Sequence, residues 1–175
     1  MNSVKIGRQY WATEDLRVTK FRNGEDIPLV QDSREWAEIN TAAYCITPGG
    51  NYLYNWHAVN DARKLAPEGF SVPTDEEWTM LTDGLGGQEV AGKQLKTDSW
   101  GGTNDSGFSA LPGGARYGSS GNFTNLKDYG FWWSSSPSGC NAWYHFLYSG
   151  YSNVYRDYDY VRCGFSVRCI KNKPK

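Results

Sequence analysis

The segment from Tyr144 to Tyr160 carries the clearest chemical signature in this sequence, and the chemistry is that of recognition. It holds six of the twelve tyrosines, interleaved with Ser, Asn, Asp and Gly. Tyr offers a large, stiff, amphipathic surface, while Ser, Asn and Gly supply adaptable hydrogen bonds, as in antibody binding loops. This composition predicts a binding surface. The alternative interpretation is a pair of edge strands, because Tyr also has high β-propensity.

The candidate ligand-binding residues lie within residues 140–163. They are Cys140, Asn141, Tyr144, Phe146, Tyr148, Tyr151, Asn153, Tyr155, Asp157, Tyr158, Asp159 and Tyr160. Tyr clusters are expected to act as anchors, and Asp157, Asp159 and Arg156 to add polar specificity. Trp143, Gly150 and residues 164–169 are expected to form the scaffold.

The thiols and imidazoles do not predict a metal site or a cofactor. The four cysteines are Cys45, Cys140, Cys163 and Cys169, and no two form a Cys-x-x-Cys pair, so free thiols are expected. Cys163 and Cys169 on one strand would be about 20 Å apart. The two histidines, His57 and His145, are expected to be packed or surface residues.

Length and charge restrict the classes of partner. The 175 residues predict a single domain over residues 1–175. The net charge of -1 gives no basic field for nucleic acid or anionic lipid. No segment approaches the roughly 20 apolar residues of a membrane span, so direct membrane insertion is not expected. The first residues lack a signal-peptide pattern, which favours cytoplasmic synthesis unless a leader was removed.

Few helices are expected, and capping side chains place them. Thr74 and Glu77 form a capping box that opens a helix, which Gly86-Gly87 ends. A second, brief helix is expected to open at Asp32 or Ser33. A third is possible over residues 55–64.

The chain from about Gly101 onward is expected to be β structure with long loops. Residues 142–148 and 151–156 predict a hairpin joined by Ser149-Gly150. Residues 164–170 predict a core strand that places Phe165, Val167 and Cys169 on one face.

Six ordered motifs carry a family resemblance. They are residues 9–16 (QYWATEDL), 54–56 (YNW), 69–78 (GFSVPTDEEW), 107–116 (GFSALPGGAR), 132–136 (WWSSS) and 164–169 (GFSVRC). Together they resemble the Fibrobacter succinogenes major paralogous domain family over most of the chain. The resemblance implies the C-type lectin fold of the formylglycine-generating-enzyme type, an α+β domain with two main helices, a twisted antiparallel β core and long loops.

The same branch of the fold is similar to the variable proteins of diversity-generating retroelements, in which adenine-directed mutation rewrites a C-terminal ligand-binding segment. Mutated Asn codons never yield Lys, Glu, Gln, Met or Trp. Residues 140–163 contain none of these except Trp143, which would be a fixed position. The resemblance therefore implies a non-enzymatic ligand-binding or receptor-binding display protein of a bacteriophage or bacterium, with residues 140–163 variable and a protein or glycan ligand on a cell surface.

Three alternatives remain open at the level of sequence. β-rich segments avoid Lys and Glu in any case, so the chain could be a surface or adhesion domain with an invariant binding face. An oxidase of the formylglycine-generating type would need Cys163 and Cys169 as its copper-binding pair. Calcium-dependent sugar binding lacks its Glu-Pro-Asn and Trp-Asn-Asp motifs, although exposed aromatic rings can stack on sugars without calcium.

One departure from the family concerns its disulfide. Many relatives carry Cys-Pro where this chain has Ala66-Pro67, which implies that Cys169 has lost its disulfide partner. That loss favours a reducing compartment, and it fits a phage or prophage protein made in the cytosol and associated with the virion. A cell-surface protein deprived of its leader is the other possibility.

Overall fold

The computed structural model describes residues 1–172 as short helices and strands joined by long loops. The helices are α1 (Ser33–Glu38), α2 (Trp56–Val59), α3 (Asp75–Gly84) and α4 (Ala91–Leu95), with a 3₁₀ turn at Asp98–Trp100. The strands are β1 (Ser3–Ile6), β2 (Gln9–Ala12), β3 (Tyr44–Ile46), β4 (Tyr52–Tyr54), β5 (Phe70–Ser71), β6 (Ala115–Arg116), β7 (Phe123–Thr124), β8 (Tyr129–Ser138), β9 (Asn141–Tyr148), β10 (Tyr155–Tyr160) and β11 (Ile170–Lys171).

The paired strands are antiparallel and form four sheets. The largest has the order β1-β2-β11-β5, so the first and last strands of the described chain share one sheet. A second sheet has the order β10-β9-β8, and β3-β4 and β6-β7 form two small ones. Few helices beside antiparallel sheets confirm the predicted α+β class.

The two capped helices confirm their predictions. The Thr74 hydroxyl accepts from the Glu77 amide at 3.1 Å, and the Thr74 amide donates to Glu77 Oε2 at 2.9 Å. Asp32 caps α1 by accepting from the Glu35 amide at 2.9 Å. Both signals lie within four residues of sequence, so local chemistry alone determines where these helices begin.

The third predicted helix is shorter than the 55–64 expected from the sequence. α2 ends at Val59 after one turn. Asp61 then pairs with Arg63 at 2.7 Å, and Lys64 adopts a left-handed φ of 64°, so the chain turns away. The sequence analysis also missed α4 and the five N-terminal strands.

The segment from Gly164 to Cys169 is buried as predicted, but the predicted strand over residues 164–170 was wrong: residues 164–166 form only isolated bridges, each to a different partner, and a strand begins at Ile170. Phe165, Val167 and Cys169 are buried, and so are the intervening Ser166 and Arg168. The Arg168 guanidinium donates to Asp15 Oδ1 at 2.8 Å and to the carbonyls of Ala12 and Phe108. These bonds satisfy a buried charge and tie the segment that leads into β11 to the end of β2 and to the chain that follows it.

The C-terminal hairpin differs from the predicted one. β9 and β10 pair with the register Tyr155↔Phe146 through Tyr160↔Asn141. Residues 149–154 therefore form the connection, and the prediction of a two-residue Ser149-Gly150 turn with a strand from Tyr151 was wrong. The reason is non-local: the amides of Ser149 and Val154 donate to the carbonyls of Asp128 and Gln88, at 3.0 and 2.8 Å.

No helix within residues 1–172 has the length and apolar character needed to cross a bilayer.

Candidate binding surface

The predicted site residues divide between the two faces of the β9–β10 hairpin. Successive side chains of a strand point to opposite faces, and the register aligns Tyr155 with Phe146 on one face and Tyr158 with Trp143 on the other. The set that composition marked as one surface therefore forms two groups.

The first group, here called the aromatic stack, consists of Tyr129, Phe146, Tyr148, Tyr151 and Tyr155. Ring centroids are 4.5 Å apart for Tyr129–Tyr148, 4.8 Å for Phe146–Tyr155 and 5.3 Å for Tyr148–Tyr151, and all three pairs are stacked. Four of the side chains are half-buried, and Tyr151 is 55% exposed. Rings held by their neighbours lose little freedom when a ligand covers them.

Tyr144 lies at the inner end of the same face but belongs to the core. Its side chain is only 8% exposed, and its ring is 4.7 Å from that of Phe165. Burial, assisted by Asp157 and Asp159, raises the pKa of Tyr144. Its function in this structure is to support Phe146, whose ring centroid is 5.8 Å away.

The second group, here called the arginine patch, lies on the opposite face. The Arg156 guanidinium carbon is 3.4 Å from the centroid of the Trp143 ring, and Tyr158 meets the same ring edge-on at 5.4 Å. Tyr160 accepts from Arg162 Nε at 2.9 Å. Tyr158 and Tyr160 are exposed. Arg, Trp and Tyr are the residue types enriched at binding hot spots.

A half-buried carboxylate, that of Asp75, fastens both strands of the hairpin to α3. Asp75 accepts from His145 Nε2 at 3.0 Å and from Arg156 Nε and Nη2 at 2.8 Å each. Burial alone would raise the pKa of Asp75, but these hydrogen bonds outweigh it and lower the pKa below its usual range. Burial lowers the pKa of His145, although Asp75 opposes that shift. The arrangement fixes where the arginine patch lies.

The acidic residues of the edge strand β10 have a role within the strand. Asp157 Oδ1 accepts from the Tyr158 amide at 2.8 Å, and Asp159 Oδ1 accepts from the Tyr160 amide at 2.6 Å. These carboxylates occupy amides that could otherwise pair with another chain. Strand addition is thus disfavoured at this end of β10.

The remaining predicted residues, Cys140, Asn141 and Asn153, lie at or beyond the two ends of β9. Cys140 is exposed in the β8–β9 turn, with Asn141 half-buried beside it. Asn153 is half-buried in the 149–154 connection. Cys140 and Asn141 lie away from the aromatic stack along the hairpin. Asn141 pairs with Tyr160, at the opposite end of β10 from Tyr155.

Three of the four thiols lie in the interior of the protein. Cys45, Cys163 and Cys169 are buried, and all four thiols are free. Burial raises the pKa of Cys163 and of Cys169 to about 12. In residues 1–172 no group of three or more His, Cys, Asp or Glu side chains could hold a metal ion.

A cleft of about 310 Å³ lies elsewhere, between the chain after β2 and the core segment after Gly164. Asp15 and Arg168 line it together with Tyr52, Ser109 and Ser166. Asp15 and Arg168 pair with each other at 2.8 Å, so their charges largely cancel. The aromatic stack lies outside this cleft.

Sequence reasoning missed three residues that shape the surface. Tyr129 completes the aromatic stack from β8, Asp75 fastens the hairpin, and Lys96 holds its connection. Tyr129 could have been found from the aromatic composition of the strand that contains Trp132 and Trp133. Nothing in the local sequence distinguishes Lys96 from a solvent-exposed lysine.

These features define an α+β domain that presents aromatic side chains on an antiparallel hairpin. The chain belongs to the Fibrobacter succinogenes major domain family, whose model matches residues 4–171. The family predicted from the six motifs is thereby confirmed. No significant match was found among curated proteins or among solved structures.

Proposed function

We propose that this protein is a non-enzymatic ligand-binding protein of the C-type lectin fold, and that the aromatic stack recognises a protein or glycan on a cell surface. The observation that carries the proposal is the stack itself: half-exposed rings, stacked on one another, beside a connection whose main chain is anchored to the rest of the domain. Such a surface is preorganised and loses little entropy on binding. The arginine patch would be a second contact region.

We further propose that residues 140–163 are the variable segment of a diversity-generating retroelement. The absence of Lys, Glu, Gln and Met extends beyond that segment, over residues 128–170. Side chains at Tyr151 and Tyr158 are exposed, so replacements there would alter the surface without entering the core. The invariant alternative, a family adhesion domain, requires the same surface but no mutagenic template.

The environments of the thiols argue against the oxidase alternative. A thiolate is the form that binds copper or attacks a substrate, and the raised pKa values of Cys163 and Cys169 disfavour it. Calcium also has little support, because residues 1–172 hold no group of three or more His, Cys, Asp or Glu side chains that could ligate it. We therefore assign no cofactor and no metal to the function.

The proposal of a reducing compartment rests on the pair of positions Ala66 and Cys169. Cys169 and Ala66 are both buried in the same apolar cluster, at the two positions where relatives are expected to carry a disulfide. A phage-associated protein made in the cytosol remains our proposal for its setting.

The proposal is tested by comparing two exposed tyrosines. Tyr151, in the stack, is 55% exposed, and Tyr117, outside it, is 49% exposed. Binding of wild type, Tyr151→Ala and Tyr117→Ala is measured on a glycan array and on bacterial cells. We expect at least tenfold weaker binding for Tyr151→Ala alone. Equal binding by the two variants, or no binding by wild type, would contradict the assignment.

The origin of the segment is tested in the DNA. A near-copy of the sequence encoding residues 140–170, with adenines at the mismatched positions and a reverse transcriptase gene beside it, is expected. Its absence from the intact locus would favour the invariant adhesion domain.

A further inference from the structure

A buried lysine binds the main chain of the hairpin connection. Lys96, at the end of α4, is 1% exposed. Its Nζ donates to the carbonyl oxygens of Tyr148, Ser149 and Tyr151, at 2.8, 3.1 and 2.7 Å. An ammonium has three N–H donors, so each donor finds one carbonyl. Three converging carbonyl oxygens form a site for a cation, and Lys96 fills it.

Other contacts between the connection and its surroundings also involve the main chain. The amides of Ser149 and Val154 donate to carbonyls of Asp128 and Gln88. Gly92, one turn before Lys96, is so close to the connection that a Cβ there would lie 2.5 Å from the Asn153 oxygen. These contacts use no side chain of residues 149–154. The side chain of the connection that is buried in an apolar cluster is that of Val154, at the far end from the carbonyls that Lys96 Nζ binds.

Carbonyl dipoles compensate the buried charge of Lys96. Its hydrogen-bond partners are carbonyl oxygens rather than carboxylates, and the Trp100 ring centroid is 5.6 Å from Nζ. Burial lowers the pKa of Lys96. A buried ammonium is stable only if its N–H donors are hydrogen-bonded. The charged form of Lys96 therefore requires the connection to keep these three carbonyls in place.

We propose that the Lys96 ammonium is a positioning group that fixes the main chain of residues 148–151 independently of their side chains. Carbonyl oxygens are present whatever residue occupies these positions, so the connection keeps its shape when its residues are exchanged. The three hydrogen bonds of Lys96 carry this inference without reference to function. Its importance for recognition rests on the proposed function, because a segment whose side chains vary needs a main chain that keeps its shape.

The first test removes the ammonium from the full-length chain and returns it from solution. In Lys96→Ala, amide hydrogen exchange at Tyr151 and Val154 is expected to accelerate at least tenfold. Propylammonium is expected to restore most of the protection, whereas tetramethylammonium, which has no N–H donor, is not. Lys93→Ala, on the exposed side of α4, is the matched control and should change exchange less than twofold.

Equal effects of the two ammonium ions would overturn the proposal, because the lost packing of the lysine stem would then explain the result. Lys96→Met is a second variant that retains most of the stem volume. It is expected to show the same fast exchange at Tyr151, and slow exchange in this variant would also contradict the cation site.

The second test exchanges the side chains. Tyr148→Ser, Ser149→Asn and Tyr151→Asp are combined, and exchange at Val154 is expected to stay within threefold of wild type while Lys96 is present. Loss of protection would show that side chains hold the connection. Failure of the proposed function would appear instead as absent ligand binding or an absent DNA template, with the exchange results unaffected.

Discussion

Asp75 shows how one side chain can determine the placement of several others. It is the first residue of α3, and its carboxylate meets His145 on β9 and Arg156 on β10. Arg156 in turn lies over Trp143. The arginine patch is thus oriented from a helix remote in sequence, through charge-assisted hydrogen bonds.

Replacement of Asp75 is expected to remove stability in a pH-dependent way. The pKa of Asp75 is lowered in the folded protein, so its contribution is complete above the unfolded pKa of about 3.9 and is lost as pH falls towards the folded value. Asp75→Asn should reduce the free energy of unfolding by about 1–3 kcal/mol at pH 7. Denaturant unfolding of both proteins from pH 7 to pH 2 should show the difference shrinking below about pH 4.

Asp26→Asn is the control for this experiment. Asp26 forms an ion pair with Lys20 at 2.6 Å, but both side chains are largely exposed. Its replacement should cost less than about 1 kcal/mol. A difference for Asp75→Asn that persists unchanged to pH 2 would mean that its carboxylate charge is not what holds the hairpin.

Among the elements, the sequence predicts those determined by near neighbours. Thr74 and Asp32 cap helices through bonds to residues three positions away, and both helices begin where expected. The connection after Tyr148 was predicted wrongly because Gln88, Lys96 and Asp128 shape it from outside the hairpin.

Composition alone predicts a candidate site but does not show which of its side chains reach solvent. Tyr144 and Tyr155 are the same residue type on the same face of the hairpin, yet Tyr144 lies against Phe165 and Tyr155 is half-exposed against Phe146. Which tyrosine reaches solvent depends on the packing of the whole sheet, which a list of residue types does not contain.

Two glycines, in helices α3 and α4, predict opposite effects of alanine substitution on stability. Gly84 ends α3 with open space where a Cβ would project, whereas a Cβ on Gly92 in α4 would lie 2.8 Å from the Ser152 oxygen. Gly84→Ala should be neutral or stabilising by up to about 1 kcal/mol, because alanine favours the helix. Gly92→Ala should lower the free energy of unfolding by about 1–3 kcal/mol.

Denaturant unfolding measures both effects, and hydrogen exchange at Val154 locates the second. Faster exchange at Val154 is expected only for Gly92→Ala. If Gly92→Ala were as stable as wild type, the close contact between α4 and the connection would be wrong.

For the molecule as a whole, the cysteines report on cooperative unfolding. Cys140 is exposed, and Cys45, Cys163 and Cys169 are buried. Burial raises the pKa of Cys45 to about 11. In the native protein a thiol reagent should label Cys140 rapidly and the other three only at the rate of unfolding. Mass spectrometry of the labelled protein counts the reacted thiols.

Cys140→Ser is the control and should show no rapid labelling. In strong denaturant, all four thiols of the wild type should react together. Rapid native labelling of Cys163 or Cys169 would contradict the inert core and would return the oxidase alternative to consideration.

The carboxylates on the edge strand β10 affect how closely several copies of the protein can be arranged without aggregating. Asp157 and Asp159 occupy the amides of Tyr158 and Tyr160, so neighbouring copies are hindered from exchanging strands there. In the proposed display role, many copies would lie side by side without pairing through this edge. When several sites bind one surface together, the overall affinity can exceed that of a single site by roughly 10²–10⁴. A modest single-site affinity would then suffice for tight attachment.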